Sequence, residues 1–113
     1  MMDGILIGAA IGVVLGTISG CTPGIHSNTM AGILLGVHPA LLILFGPAVF
    51  AASVTATLIT HTFLDAVPST FLGVPDPDTA IAVLPAHDLC MKGLGEEAVR
   101  ISALGSATGA VFG

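Results

Sequence analysis

The 113-residue chain is strongly apolar: 54% of its residues are hydrophobic, 8% are charged, and its formal net charge is -5. An ordinary soluble domain has about a quarter of its residues charged, so this composition excludes that class. Two basic residues are too few for a polybasic patch, which excludes nucleic acid as a partner and leaves no patch for anionic lipid headgroups.

The first half of the chain is free of formal charge. No Asp, Glu, Lys or Arg occurs between Asp3 and Asp65, and about 20 apolar residues are enough for one membrane-spanning helix. At least two membrane segments therefore fit into positions 4–64. The start MMDGILIG carries an acid where a signal peptide carries basic residues, so we expect the first helix to be retained. We predict an all-α, multi-pass integral membrane protein of the cell (plasma) membrane.

Glycine recurs every fourth residue along the first predicted helix, which we expect to end near Gly20. Such spacing forms a small-residue groove against which another helix backbone can pack closely. The spacing returns near residue 113, which hints at a repeat within a longer chain. The glycines for which we predict helix packing are Gly8, Gly12, Gly16, Gly20, Gly105 and Gly109.

A Pro-Gly pair interrupts the apolar sequence after the first helix. Pro23 lacks a backbone donor and Gly24 permits a positive φ, so the helix should break there. We expect a short apolar segment over 25–37, and then a run that Pro39 opens and that continues over 40–64 with a kink at Gly46-Pro47. A full span followed by half a span is typical of discontinuous or re-entrant membrane helices, as found in inverted-repeat transporters.

The remainder of the chain is more polar. We predict a loop over 65–79, a short amphipathic helix over about 80–91 capped by Thr79, and a last helix that Glu96 and Glu97 begin. We treat 1–113 as one membrane region, with a loop-and-helix part over 65–100 and the start of a further membrane helix over 101–113. That last helix is too short to span, which indicates a fragment of a larger protein. The alternative is a true terminus on a short interfacial helix.

Uncharged polar side chains follow the Pro-Gly break. The free N–H groups at the start of the next helix attract anions. Ser27, Asn28 and Thr29 add neutral donors, and His26 adds a side chain whose charge ordinarily changes near physiological pH. These residues, with Pro23 and Gly24, form a candidate substrate or ion site. The alternative is that the three small polar residues only cap the helix.

A second pair of polar side chains lies at the end of the uncharged half of the chain. His61 and Asp65 are four residues apart, at helical spacing, and suit a proton or ion relay. Alternatively, Asp65 only marks the membrane interface.

Catalytic motifs and close metal-ligand spacing are missing from the sequence, so we predict no enzyme, cofactor or metal. The coupling ion is open between H⁺, which His26 suits, and Na⁺, which broken-helix carbonyls suit. Cys21 and Cys90 are most simply buried thiols.

The glycine and Pro-Gly positions resemble the signature of a known protein family. Gly12, Gly16 and Gly20 running into Pro23-Gly24 look like the signature of the large permease subunit of tripartite tricarboxylate transporters and of its archaeal-type relatives. A second motif follows in the family's order. Its matching positions here are Pro75-Asp76, Asp78-Thr79, His87-Asp88, Lys92-Gly93, Ala98 and Ser106. Asp76 stands where the usual motif has Gly, and His87-Asp88 replaces Asp-Gly.

The resemblance implies a function and partners. It implies the N-terminal part of a permease in a secondary transporter for tricarboxylate-like anions. The second motif, Pro75, Asp76, Asp78 and Thr79, is then a second candidate site. The implied partners are the bilayer, the rest of the permease or a second half-subunit, a small membrane subunit and an extracytoplasmic solute-binding protein.

The alternative function belongs to a different class of protein: a small self-associating membrane scaffold or pore-former that packs through its glycine grooves. Lys92 and Arg100 favour a cytoplasmic loop after Asp65.

Overall fold

The computed structural model describes residues 1–74, 77 and 79–113. Over these residues all regular secondary structure is helical and no strand is present, which confirms the all-α prediction. The helices are α1 Met2–Gly20, α2 Ser27–Leu64, α3 Ala66–Leu72, α4 Val83–Met91 and α5 Gly95–Phe112. The chain divides into two compact units, Met1–Leu64 and Asp65–Gly113.

Unit 1, Met1–Leu64, has its apolar side chains on the outside. Every buried residue of α1 is a glycine or a serine, whereas Leu6, Val14 and Ile18 are more than half exposed. A soluble protein shows the opposite distribution, with its large aliphatic side chains inside. By length and composition, α1 and the long helical stretch Ser27–Leu72 are apolar enough to cross a membrane. The surface of unit 1 is thus suited to lipid.

The helix break that the sequence predicts after α1 is present. The last turn closes with hydrogen bonds from the Cys21 N–H to the Thr17 carbonyl and from the Thr22 N–H to the Ser19 carbonyl. Gly24 then has a φ of +89°, a conformation that residues with a Cβ rarely adopt. The chain re-enters helix at Ser27.

α2 corrects the predicted pattern of a short helix ending near residue 37. The helix continues through Pro39, and its only non-helical residue is Gly46, with φ 80° and ψ 165°. Pro39 has no N–H to donate to the Leu35 carbonyl. The His38 Nδ1–H donates to that carbonyl instead, at 2.8 Å. The neighbouring side chain therefore satisfies the group that the proline leaves free, and the helix survives.

Gly46 folds α2 back on itself. In a continuous helix His38 and Phe50 would be about 18 Å apart, but their ring centroids lie 6.2 Å apart. Ala31 and Thr55, about 36 Å apart in a straight helix, line the same surface cavity. Residues 27–45, here called α2a, and 47–64, here called α2b, are therefore two arms of a helical hairpin, each of near-spanning length.

α2b fills the glycine groove of α1. A Cβ built at Gly12 would meet the Ser53 carbonyl oxygen and lie 2.9 Å from the Thr57 nitrogen, and one at Gly16 would lie 2.5 Å from the Thr57 oxygen. The facing pairs are Gly8 with Val49, Gly12 with Ser53, Gly16 with Thr57 and Gly20 with His61. Because the offset between partners is constant, α1 and α2b run parallel. Gly8, Gly12, Gly16 and Gly20 are helix-packing residues, as the spacing predicts.

The described residues of unit 2, Asp65–Gly113, form three helices, where the sequence predicted a loop followed by two helices. Residues 66–72 are helical although they include Pro68, because a proline in the first turn removes an N–H that has no partner within the helix. Gly73 ends α3 in the left-handed conformation, with φ 66°. The prediction of an ordered loop throughout 65–79 was therefore wrong for residues 66–72, which are helical.

The other two helices of unit 2 begin at or near the predicted positions. α4 starts at Val83 rather than near residue 80, and its start has no side-chain cap. Thr79 does not cap it, because its hydroxyl donates to the Ser69 hydroxyl at 3.0 Å. α5 starts at Gly95, next to the predicted acids, and Gly95 packs against the Phe71 ring.

The glycine stripe of α5 has no partner in the described part of the chain. A Cβ at Gly105 or Gly109 would meet no atom within 4 Å. The predicted packing role of these two glycines is therefore not met by any described residue.

Candidate substrate and ion site at the break after α1

The predicted site residues lie at the first turn of α2. His26 precedes the helix, and its carbonyl accepts the hydrogen bond of the Met30 N–H at 3.1 Å. The N–H groups of Asn28 and Thr29 come before this first intrahelical bond, so they have no partner within the helix. The structure thus brings the predicted set together at one helix start.

Most of this set is accessible. Pro23, Gly24, His26, Asn28 and Thr29 are exposed, and Ser27 is half-buried. The side chains of Asn28 and Thr29 make no hydrogen bond to any described residue. Neither of them caps the helix, and their amide and hydroxyl groups are available to a ligand.

Three helix ends meet at this end of unit 1. Because α1 and α2b are parallel and α2a is antiparallel to both, the C-terminal ends of α1 and α2b lie at the end where α2a begins. A Cβ at Gly20 would be 3.0 Å from the Leu64 Cβ, which shows that the two C-terminal ends are adjacent. The N-terminus of α2a attracts an anion, while the two C-termini attract a cation.

His61 lies at this end, inside the seam between α1 and α2b. Its side chain is completely buried, and its Nδ1 is 2.9 Å from the Ser19 Oγ. The Ser19 hydroxyl donates to the Gly16 carbonyl at 3.3 Å. We therefore assign the Nδ1–H tautomer, in which His61 donates to Ser19.

The other ring nitrogen of His61 is not satisfied. Among the described residues, none forms a hydrogen bond with Nε2. A buried polar atom without a partner costs about 1–3 kcal/mol, which most native groups avoid. In the assigned tautomer Nε2 carries a lone pair and no hydrogen.

Asp65, the second member of the predicted relay, lies beyond the end of α2. It is 5% exposed and opens unit 2, where its backbone carbonyl accepts a hydrogen bond from the Ser69 Oγ at 2.9 Å. The predicted pairing of Asp65 with His61 stays a prediction.

The second family motif falls partly outside the described residues. Pro75, Asp76 and Asp78 are not described, and Thr79 is nearly buried. Its hydroxyl continues a chain in which Thr79 donates to Ser69 and Ser69 donates to the Asp65 carbonyl. His87 lies over Gly73 and makes a 2.9 Å hydrogen bond through Nδ1 to the Thr70 carbonyl.

The sequence analysis did not identify Ser19 and Thr57 as buried polar residues of the seam between α1 and α2b. Thr57 is completely buried and donates to the Ser53 carbonyl at 2.7 Å. The available signal was the row Ser53, Thr57 and His61, which repeats at the same four-residue spacing as the glycines. Ser19 gives no such signal, because its partner is remote in sequence.

Candidate metal ligands are dispersed. Across the described residues, no group of three or more His, Cys, Asp or Glu side chains lies close enough to hold a metal ion. Cys21 and Cys90 are both free thiols, and Cys21 is exposed rather than buried as we predicted.

These features define a class: a helical protein with membrane-compatible spans, a glycine-packed seam and a polar helix break. The chain belongs to the tripartite tricarboxylate transporter TctA family, whose profile matches residues 6–113. The resemblance given by Gly12, Gly16, Gly20 and Pro23-Gly24 is thereby confirmed. This is a family of membrane transporters rather than enzymes.

One curated relative is an uncharacterized protein of Methanocaldococcus jannaschii. It is 39% identical over 102 residues, which are 90% of this chain and 25% of the relative. The chain thus spans about a quarter of the length of this relative. No solved structure matches the chain.

Proposed function

We propose that the chain is part of a multi-pass plasma-membrane permease, a secondary transporter for small organic anions of the tricarboxylate class. The anion binds at the start of α2, beside Pro23-Gly24. The observation that carries this proposal is the exposed first turn of α2, where Asn28 and Thr29 keep unused side-chain donors.

The chemistry of this end suits a carboxylate. The N–H groups of Asn28 and Thr29 and the positive end of the α2a dipole attract an anion, and the side chains of these two residues add neutral donors. Unit 1 contains no Lys or Arg, so the cargo does not meet a permanent cation whose burial in the membrane is costly. A weak, donor-based site also lets the anion leave, as transport requires.

The coupling ion and the partners belong to the same proposal. The convergent carbonyl ends of α1 and α2b suit a cation, H⁺ or Na⁺. The TctA description names a tripartite transporter, which supports a small membrane subunit and an extracytoplasmic solute-binding protein as partners. The remainder of the permease completes the site.

The alternative of a self-associating scaffold or pore-former is weakened by one observation. α2b already fills the groove of α1 at Gly8, Gly12 and Gly16, so this groove is not open to a second copy. Among the described residues, the stripe on α5 and the pair Gly32 and Gly36 on α2a have open Cβ positions and remain for such a role.

The test is exchange of radiolabelled citrate by the complete transporter reconstituted in proteoliposomes. Asn28→Asp places a negative charge at the proposed site. An acid at a helix N-terminus stabilises the helix by about 0.3–1 kcal/mol, so the fold should be unharmed. Like charges a few ångströms apart repel by several kcal/mol at about ε 20, so we expect apparent citrate affinity to fall at least about tenfold.

Asn28→Ser is the matched control, because it keeps a neutral donor, and we expect it to retain most of the affinity. If Asn28→Asp exchanges citrate like the wild type, the anion binds elsewhere. If the wild-type transporter does not exchange citrate at all, while it is intact and membrane-inserted, this cargo class is wrong.

A further inference from the structure

An apolar cavity lies between the helical segments of unit 1, and the proposed anion site does not use it. We propose that this cavity binds the end of an acyl chain from a membrane lipid. Binding of lipid there is independent of the solute that the transporter carries.

The cavity is enclosed by all three helical segments of unit 1. α1 contributes Leu15, α2a contributes Leu34 and Leu41, and α2b contributes Phe50 and Val54. The volume of the cavity is about 130 Å³. Because its walls come from three segments, the cavity is a feature of the packed hairpin and α1 together, and not of one exposed helix face.

The lining of the cavity favours hydrocarbon over water. Among the described residues that line it, Ser53 alone has a polar side chain. A buried water needs about two to four polar partners, whereas an apolar cavity of about 150 Å³ stays dry and binds benzene or xenon. The cavity therefore suits a short hydrocarbon segment.

A more open groove on the surface of unit 1 adjoins the cavity. The groove lies between α2a and α2b and has a volume of about 450 Å³. Leu34, Phe50 and Val54 line both the groove and the cavity, so the two spaces meet at these side chains. The small residues Ala31 and Ala51 line the groove further out. An acyl chain lying in the groove thus has its end beside the cavity.

The depth of the cavity matches the depth at which acyl chains end. Ile11 lines the cavity and is the central residue of α1, about 14 Å from either end along the helix. The hydrocarbon core of a bilayer is about 30 Å thick, so the middle of a spanning helix lies near the plane where the two leaflets meet. The cavity is therefore level with chain ends and not with headgroups.

The size of the cavity distinguishes an acyl chain from a helix as its occupant. A helix with its side chains is about 10–12 Å across, which is too wide for a space of this volume. An acyl chain is narrow enough, and it restores the van der Waals contacts that the lining lacks around an empty space. These contacts stabilise the bound chain, because moving an apolar group out of lipid brings no hydrophobic gain.

The first experiment uses the complete wild-type transporter in phosphatidylcholine vesicles. Two phosphatidylcholine probes are compared, one with a photoactivatable diazirine at the end of an acyl chain and one with the diazirine next to the carboxyl carbon. Peptide mass spectrometry locates the labelled residues. We expect the chain-end probe to label Leu15 and Leu41 at least about fivefold more than the other probe, because only the chain end reaches this depth.

Val14 reports contact with bulk lipid in the same experiment. It precedes Leu15 in α1 but is exposed and does not line the cavity. Labelling of Val14 without labelling of Leu15 and Leu41 would overturn the proposal, because the cavity would then be empty or filled by a side chain of another helix. Equal labelling of Leu15 and Leu41 by the two probes would also overturn it.

The second experiment fills the space with a side chain. Val54→Phe adds a ring where the groove meets the cavity, and we expect chain-end labelling of Leu15 and Leu41 to fall several-fold. Val37→Phe is the matched control, because Val37 is exposed on α2a and lines neither space; it should keep the wild-type labelling. Wild-type labelling of Leu15 and Leu41 in Val54→Phe would contradict the proposal.

Leu34→Phe is the variant to use if Val54→Phe does not fold, because it enters the same space from α2a. The same loss of labelling is expected, and its absence would count against the proposal equally. The comparison of the two probes on the wild type needs no variant. Neither readout involves citrate, so failure of the proposed transport function would leave both results valid.

Discussion

α1 and α5 have the same four-residue glycine spacing but different surroundings. In α1, Gly8, Gly12 and Gly16 are buried, and a Cβ at each would meet the backbone of α2b. In α5, Gly105 and Gly109 are exposed, and no described atom lies within 4 Å of the Cβ position of either. One pattern therefore occurs with a filled groove and with an empty one.

Glycine spacing therefore specifies a groove and not the helix that fills it. The occupant of α1 must itself be small where it touches, and α2b presents Ser53, Ala56 and Thr57 there. The chain must also bring this second helix back alongside α1, and the fold-back at Gly46 does so. Each of these requirements can be broken separately.

The largest effect is expected when the filled groove is blocked. In Gly12→Leu the new side chain would collide with the Ser53 carbonyl and with Ala56, and backbone atoms cannot move aside. Overpacking of this kind costs about 3 kcal/mol or more. Thermal unfolding of the complete transporter in detergent should show a large loss of stability.

Gly32→Leu is the matched control, because a Cβ at Gly32 meets nothing within 4 Å. It should unfold close to the wild-type temperature. Equal behaviour of the two variants would mean that α2b does not pack on α1 as described.

A moderate effect is expected at the fold-back. Gly46 has φ 80° and ψ 165°, a region that residues with a Cβ avoid at a free-energy difference of about 1–3 kcal/mol. A Cβ there has open space, so Gly46→Ala isolates the backbone term. Gly36→Ala, in an ordinary helical position, should be neutral or slightly stabilising. Unfolding midpoints that rank the two variants the other way would argue against the hairpin.

A smaller effect is expected in the polar part of the seam. Ser19→Ala removes the acceptor of the His61 Nδ1–H, which should lower stability by about 1 kcal/mol. Thr17→Ala removes a hydroxyl that bonds only to its own helix, at the Val13 carbonyl, and should change stability by less. Denaturant titration of both variants measures the difference, and an equal loss in both would mean that the contact between His61 and Ser19 contributes nothing.

The smallest effect is expected in the empty groove. Gly109→Ala replaces a glycine with no close neighbour among the described residues, and helix propensity favours alanine by up to about 1 kcal/mol. Stability of the complete transporter should be unchanged or slightly raised. A clear loss of stability would show that another helix of the complete transporter fills this groove, and would remove the contrast with α1.

Local chemistry made several elements predictable from sequence. The end of α1 at Gly20, the break at Pro23-Gly24 and the start of α5 beside Glu96 follow from glycine, proline and charge placement. The family resemblance rested on the same residues.

The features that were predicted wrongly or missed depend on contacts between residues far apart in sequence, or on a neighbouring side chain that compensates for a lost hydrogen bond. Pro39 does not open a new helix, because His38 satisfies the carbonyl that it leaves free. Thr79 bonds to Ser69 instead of capping α4. The partnership of His61 with Ser19 joins positions that only the parallel packing of α1 and α2b brings together.

A cysteine at the break after α1 can report directly whether a carboxylate binds there. Cys21 is an exposed thiol beside Pro23-Gly24, and Cys90 in α4 is a partly buried reference. The measurement is the alkylation rate of each thiol in the complete transporter, with and without citrate, resolved by peptide mass spectrometry. If a carboxylate binds at the break, citrate should slow alkylation of Cys21 several-fold and leave the alkylation rate of Cys90 unchanged. Equal rates at Cys21 with and without saturating citrate would contradict it.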